Sequence, residues 1–324
     1  MSDSQPDLDL GRTRGIERIK EGTYGSFMLV CAAVTLLTTV AIFLTLLTDA
    51  IAFFQAYPIA DFLGGLEWSP NDTGGEQLFG IVPLVVGTLV VTLTSAFVAI
   101  PIGTLTAIYL SEYASPRKRA ILKPMLEILA GVPTVVYGYF ALVYITPALQ
   151  ATLFPNMMTF NALSASLMVG IMVIPMVSSI SEDAMNAVPD ELRQAGYGLG
   201  ATKFEVSTGI VVPAAISGIV SSYILAISRA IGETMIVVVA MGSNATLPEV
   251  QNGLLGIPFV HPGDVLLEQG MTITVAMVNI VGGDLTGGTI PYDAMFALGL
   301  FLFVVTLIMN VISDIIAERY REEY

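Results

Sequence analysis

Charge is scarce in this chain. Only 12% of its 324 residues are Asp, Glu, Lys or Arg, against roughly 25% in an average soluble domain. Basic residues are scarcer still: 13 Lys and Arg stand against 27 Asp and Glu, a formal net charge of −14. Such a chain lacks the positive footprint that a phosphate backbone requires, which excludes nucleic acid as a partner. The acid excess suits a high-salt medium, where solvated carboxylates are well screened. There is one cysteine, Cys31, so no internal disulfide can form, and one histidine, His261. No H-E-x-x-H motif and no cysteine cluster offers a metal site. The pattern G-x-x-x-x-G-K-[ST] is also missing, so the chain does not itself cradle nucleotide phosphates. No apolar block contains a histidine or lysine to activate a serine, and Glu233 is the lone carboxylate in those blocks. Intramembrane serine and aspartyl chemistry are both disfavoured on that ground.

What the chain has in place of charge is length without it. Hydrophobic residues make up 54%, with a mean hydropathy of +0.77. A bilayer core of ~30 Å needs ~20 apolar residues in a helix. Gly25 to Thr48 is uncharged and too long for a signal-peptide core, so it reads as a retained anchor. Phe79 to Leu110 is the next such block. Ile128 to Ser181 is long enough for two spans, near 128–149 and 159–181, broken at Leu153-Phe154-Pro155-Asn156. The stretch 210–242 is apolar apart from Arg229 and Glu233, and Ala294 to Ile312 is the last block. A shorter apolar stretch at 271–281 reads as a partial or interfacial helix. The fold class expected is an all-α membrane protein with six transmembrane helices.

The basic residues orient those helices. All but one of the 13 lie in the N-terminal tail, the 111–127 loop, the 182–209 loop or the C-terminal tail. Loops 49–78, 150–158 and 243–293 hold none. Six spans with both termini in the cytoplasm put every basic loop inside, as the positive-inside bias requires.

The 182–209 loop carries the most information. Pro189 suits the first turn of a helix, with Asp190 and Glu191 following where negative charge favours the dipole. Gly198 and Gly200 end that helix in a tight turn, and a second short helix leads to Pro213. Two short helices at an angle make a rigid knob that can dock in a cleft of another protein.

This segment resembles the EAA loop of binding-protein-dependent ABC permeases, whose pattern is E-A-A, three residues, G, nine residues, then I-x-L-P. Here it reads Gln194-Ala195-Gly196, then Gly200, then Ile210-Val211-Val212-Pro213. The spacing is kept; Gln replaces Glu, Gly the second Ala, and Val the Leu. Four further stretches are similar to phosphate permeases of the PstC type: Phe79 to Leu89, Ile108 to Ala114, Leu129 to Gly138 and Ser228 to Thr234. The resemblance implies a type I ABC importer permease with a MetI-like fold. Its division would be a cytoplasmic tail at 1–24, an anchor and external loop at 25–78, a permease domain at 79–312 with its coupling loop at 182–209, and a cytoplasmic tail at 313–324. It implies a sister permease of the PstA type, two ATP-binding subunits docked on the coupling loops and an external phosphate-binding protein. ATP would be used by those partners, with no cofactor bound by this chain and no enzymatic step in it. The coupling residues carried over are Pro189, Glu191, Arg193, Gln194, Ala195, Gly196, Gly200 and Pro213.

Arg229 and Glu233 complete the candidate set. A charge inside a span costs ~2.5–3.5 kcal/mol on insertion scales, and two residues four apart on a helix can pair. Such a pair serves either as a structural tie or as a contact on the translocation path. A guanidinium matches an oxyanion through its planar fork of donors. Under the resemblance Arg229 is expected to meet phosphate, with Glu233 holding it or easing release. Another oxyanion such as sulfate or molybdate, or a self-contained secondary transporter, remains open at this point. The external loops carry ten carboxylates and no basic residue, a field that repels phosphate unless it is delivered or screened.

Overall fold

The computed structural model describes residues 14–70, 77–248, 250–252, 258–283 and 288–319. Five helices are long and apolar enough to cross a bilayer, and a bent pair brings the number to six when it is counted as one broken span. Helix α1 spans Arg14–Ala56, so it begins well before the uncharged block that signals it. The short helix α2 is Ile59–Gly64. The second long helix, α3, runs Val82–Tyr113 and ends in a widened turn in which the Ala114 N–H reaches back five residues to the Tyr109 carbonyl at 2.7 Å. The segment expected as a basic loop at 111–127 is largely helix: α4 occupies Pro116–Ala130. Its start is set by Pro116, whose missing N–H is no loss in a first turn. Next come α5 (Thr134–Thr152) and α6 (Ala162–Asn186). Asn161 caps α6 by accepting from the Ser164 N–H at 2.7 Å.

The remaining helices are α7 (Asp190–Gly198), the bent pair α8 (Lys203–Ala214) and α9 (Ile216–Ile231), α10 (Met235–Ala240), α11 (Pro262–Leu266), α12 (Ile273–Gly282) and α13 (Ile290–Arg319). The sequence reading expects one span over 210–242; the structure divides it twice. Helices α8 and α9 meet at 70° at Ala215, where Pro213 can neither donate to the ladder nor fit against the preceding turn. A second break falls at Gly232–Thr234, where the Glu233 side chain takes over backbone donors (below). Helix α12 is short, as the 271–281 stretch anticipates.

The centre of the bundle is the α3–α6 pair, with α9 against both. Small residues allow the close approach: a Cβ on Gly103 would lie 2.7 Å from Val177, and one on Gly170 3.1 Å from the Ser95 carbonyl. Between membrane helices, packing and polar ties replace the water-driven term. Ser181 and Ser222 share a buried hydrogen bond of 2.8 Å, and Thr104 meets the Tyr223 hydroxyl at 2.7 Å. Helix α1 leans on α13, with Phe43 and Phe303 ring centroids 5.3 Å apart, and leaves most of its apolar surface uncovered by this chain.

The two ends of the bundle differ in charge. One, here the basic end, gathers α4, the C-terminus of α6, α7 and α8, with Arg117, Lys118, Arg119, Lys123, Arg193 and Lys203. At the opposite, acidic end the antiparallel strands β1 (Trp68–Ser69) and β2 (Leu78–Phe79) carry the Phe79 ring, which packs on Phe53, Tyr57 and Trp68, the last with centroids 5.9 Å apart. A second hairpin pairs β3 (Val250–Asn252) with β4 (Pro258–Val260). His261 caps α11: its Nδ1 accepts from the Gly263 N–H at 3.1 Å.

Candidate functional site

Arg229 sits in the last turn of α9, and Glu233 lies just beyond it in the break. Arg229 Nη1 is 3.0 Å from Glu233 Oε2. The other carboxylate oxygen, Oε1, accepts from the backbone N–H of Met235 at 3.1 Å and of Ile236 at 3.3 Å. Glu233 therefore caps α10 with the same carboxylate that holds the arginine. Its own carbonyl accepts from Thr274 Oγ1 at 3.0 Å, a tie from α12. Glu233 is 3% exposed, and each of its acceptors is used. A broken helix at membrane depth is tolerated only where its freed backbone groups find such partners. Arg229 is different: its side chain is 43% exposed. Nη2 touches Met172 Sδ at 3.9 Å, and the guanidinium lines a cavity of about 290 Å³.

That cavity runs between α4 and α6, and its far end is ionic. Glu182, 1% exposed, pairs with Arg119 and lies 3.3 Å from Lys123 Nζ. Lys123 also reaches Asp183 at 3.5 Å. Burial works against the charge of Lys123, but the closeness and charge of Glu182, then of Asp183, outweigh it and hold its pKa above the ordinary lysine value. Sequence reasoning missed this cluster. The signal was a basic run at 117–123 and a carboxylate at the first charged position after a 54-residue uncharged block, Ile128 to Ser181.

The knob at the basic end consists of α7 and the start of α8 with a glycine turn between them, and its residues differ in role. Pro189 has an extended backbone and sits at the N-cap of α7, one residue ahead of the first turn. Arg193 is an internal anchor, its side chain 14% exposed. It donates to the carbonyls of Val188 at 2.5 Å and Met185 at 2.7 Å and pairs with Glu112 at 3.3 Å and Asp190 at 3.2 Å. One guanidinium thus ties α7 to the ends of both α3 and α6. Gly196 is buried because α8 crosses it: a Cβ there would lie 2.6 Å from Ile210 Cδ1 and 3.0 Å from Val206 Cγ2. Gly200 has φ +86, the left-handed conformation that closes a helix and favours glycine. Thr202 and Glu205 then form a capping box that starts α8. Glu191, Gln194 and Ala195 face outward, beside the exposed Tyr197, Leu199 and Phe204. Pro213 lies at the bend. The structure brings Arg229 and Glu233 together and groups the knob residues elsewhere, at the basic end.

Membrane-length helices, a charged pair in a broken span and a firmly anchored, apolar-tipped knob define a multi-pass transport permease. The chain belongs to the family described as binding-protein-dependent transport system inner membrane component, which matches residues 99–322. Among curated relatives it is 30% identical to the probable ABC transporter permease protein YqgH of Bacillus subtilis, over 89% of this chain and 88% of that one. It is 32% identical to the phosphate transport system permease protein PstC of Xylella fastidiosa, over 80% of this chain and 78% of that one. The fold is similar to a chain of a bacterial ABC transporter involved in the import of the acidic polysaccharide alginate, with TM-score 0.63, 15% identity, and coverage of 95% of this chain and 100% of that one. The protein is thus an ABC importer permease with the type I fold.

Proposed function

We propose that this chain is the PstC-type subunit of an ATP-driven importer of inorganic phosphate, and that Arg229 contacts the ion in transit. The observation that carries the reading is the asymmetry of the Arg229–Glu233 pair. Glu233 is buried and fully engaged, whereas the arginine it holds faces a cavity. A guanidinium has five N–H donors, so one bond to Glu233 leaves donors for a tetrahedral oxyanion. The permanent charge of arginine offsets the anion's dehydration. Glu233, fixed in place, adds a negative charge that keeps binding weak enough for the ion to move on. Relatives named as PstC support phosphate over sulfate or molybdate.

In this reading the basic end faces the cytoplasm and both termini lie there. The exposed tip of the knob, Gln194, Tyr197, Leu199 and Phe204, receives an ATP-binding subunit. A PstA-type sister permease and its own ATP-binding subunit complete the membrane and motor parts. An external phosphate-binding protein delivers substrate at the acidic end, where delivery bypasses the repulsion of the surface carboxylates.

The test is uptake of labelled phosphate by vesicles holding the assembled complex, with sulfate and molybdate as competitors. Arg229→Ala is expected to abolish uptake while the complex still co-purifies, and Arg229→Lys to keep a minor fraction, a point charge without the fork. Unchanged phosphate uptake by Arg229→Ala would falsify the assignment. Stronger competition by sulfate or molybdate than by unlabelled phosphate moves the substrate to that anion.

A further inference from the structure

The cavity lined by Arg229 continues well past it. Helix α6 contributes Met172, Met176, Ser179 and Glu182 to one wall, a stripe spaced three or four residues apart, which is one face of a helix. Helix α4 contributes Lys123, Glu127 and Ala130 to the other at the same spacing. Met172, which touches Arg229, and Glu182 are ten residues apart, or about 15 Å along the helix. The space is therefore a groove between α4 and α6 with a guanidinium at one end and an ionic cluster at the other.

The cluster is built unlike the pair above it. Glu182 is buried and holds two cations, yet its Oε2 accepts no hydrogen bond among the described residues. Lys123 Nζ lies 3.3 Å from that oxygen without the alignment of a bond. That oxygen rests on an ion pair with a flexible side chain, without the backbone N–H donors that hold Glu233. Its cations come from α4, a helix separated from α5 by Gly131-Val132-Pro133. The carboxylate itself sits one turn before the carbonyl of Met185, to which Arg193 of the knob is bonded.

We infer that Arg119 and Lys123 form a second oxyanion seat at the cytoplasmic end of the groove, and that Glu182 fills this seat and so closes the route below Arg229. The inference rests on the reading of Arg229 as a path residue. A carboxylate and a phosphate present similar oxygens to a guanidinium fork, so an ion leaving Arg229 can replace Glu182 on the two cations. Displacement of α7 pulls, through Arg193, on the turn that carries Glu182 and lowers the barrier to that exchange. Glu127, one turn above Lys123 on the same wall, keeps the stretch between the seats unfavourable for an anion to rest in.

The experiment reads access rather than transport. Ser179→Cys is introduced into a Cys31→Ser chain, placing a thiol in the groove wall above Glu182. The complete complex is reconstituted in vesicles, and labelling of this chain by anionic and cationic thiosulfonates from the basic side is followed by mass. With Glu182 intact, labelling is expected to be slow. Adding E182Q speeds it at least tenfold, with the anionic reagent ahead of the cationic one, and inorganic phosphate slows it. Adding K123Q to E182Q removes both the anion preference and the phosphate protection. Should E182Q fail to assemble, R119Q with K123Q in the Glu182-bearing chain must also speed labelling, without anion preference. Labelling untouched by either change, or opened by E182Q with equal rates for both reagents, overturns the gate. Uptake insensitive to Arg229→Ala overturns the path reading instead, so the two failures are distinct.

Discussion

Two buried carboxylates hold the cations at opposite ends of one groove and are satisfied in different ways. Glu233 spends one oxygen on Arg229 and the other on two backbone N–H groups, and the chain on both sides of it is tied down. Among the described residues Glu182 is held by side chains: Asn186 donates to it at 3.5 Å, and its cations Arg119 and Lys123 are themselves 39% and 32% exposed. Backbone donors cannot swing away without unwinding a helix, whereas long side chains can. The comparison teaches that burial alone does not make a charge immobile: the partner's freedom does. Glu233 is therefore part of the scaffold, and Glu182 is part of what moves.

The sharpest way to break the comparison is to neutralise each in turn. Glu233→Gln keeps size but loses the charged partner of Arg229 and weakens the cap. Breaking a buried pair costs ~3–5 kcal/mol when the stranded charge stays dry. Arg229 is 43% exposed, so its charge is partly hydrated, and the expected loss is roughly 2–3 kcal/mol after that discount, cap included. Glu182→Gln is expected to destabilise less, about 1 kcal/mol, because its cations can turn to water. Thermal unfolding of the two variants in the same detergent decides it, and a larger fall for Glu182→Gln would reverse the roles.

A second prediction contrasts the groove with the knob, where packing rather than charge sets the geometry. At Gly196 the atom nearest a new Cβ is Ile210 Cδ1, the flexible end of a side chain, while Val206 Cγ2 on a stiff β-branched residue is the next. Gly196→Ala is expected to fit after a small turn of Ile210, in keeping with the alanine of the family's pattern. Gly196→Val adds branches that meet Val206 and force α7 from α8, an overpacking cost of about 1–3 kcal/mol. Recovery of the ATP-binding subunit on affinity purification should persist with the first and fall severalfold with the second. Equal recovery would show that the angle between the knob helices is not what the motor reads.

Much of this was legible in the chain. Uncharged runs of span length and the Gly196, Gly200 and Pro213 spacing gave the crossings and the knob, because each is a local property of composition or turn chemistry. The i,i+4 spacing of Arg229 and Glu233 gave their pairing. It did not give the break between them, since a run this apolar reads as one helix until a side chain is known to take the place of the ladder. The α4 helix was hidden by its own charge: Arg117 to Lys123 is a strong topology signal, and its basic residues read as loop. Their partner, Glu182, is some 60 residues away in sequence, and no local pattern joins them. Arg193 falls within α7 by its position in the chain, but its inward orientation toward Glu112 depends on two helix ends that only the tertiary fold brings together.

The finest test of the fixed end concerns Thr274. Its hydroxyl donates to the Glu233 carbonyl at 3.0 Å and shares a 3.0 Å contact with Thr272, whose own oxygen caps α12 by accepting from the Val275 N–H. Thr274→Val preserves shape, leaves the α12 cap in place and strands one buried carbonyl, a loss of about 1 kcal/mol. If the break is held mainly by the Glu233 carboxylate, the melting temperature should fall slightly while phosphate uptake and its dependence on concentration stay within twofold of the parent. If the tie from α12 instead sets the orientation of Arg229, the half-saturating phosphate concentration should rise severalfold at unchanged stability. That outcome would move the fixed point of the site from the carboxylate to the backbone, and would make α12, rather than α10, the element against which the arginine is positioned.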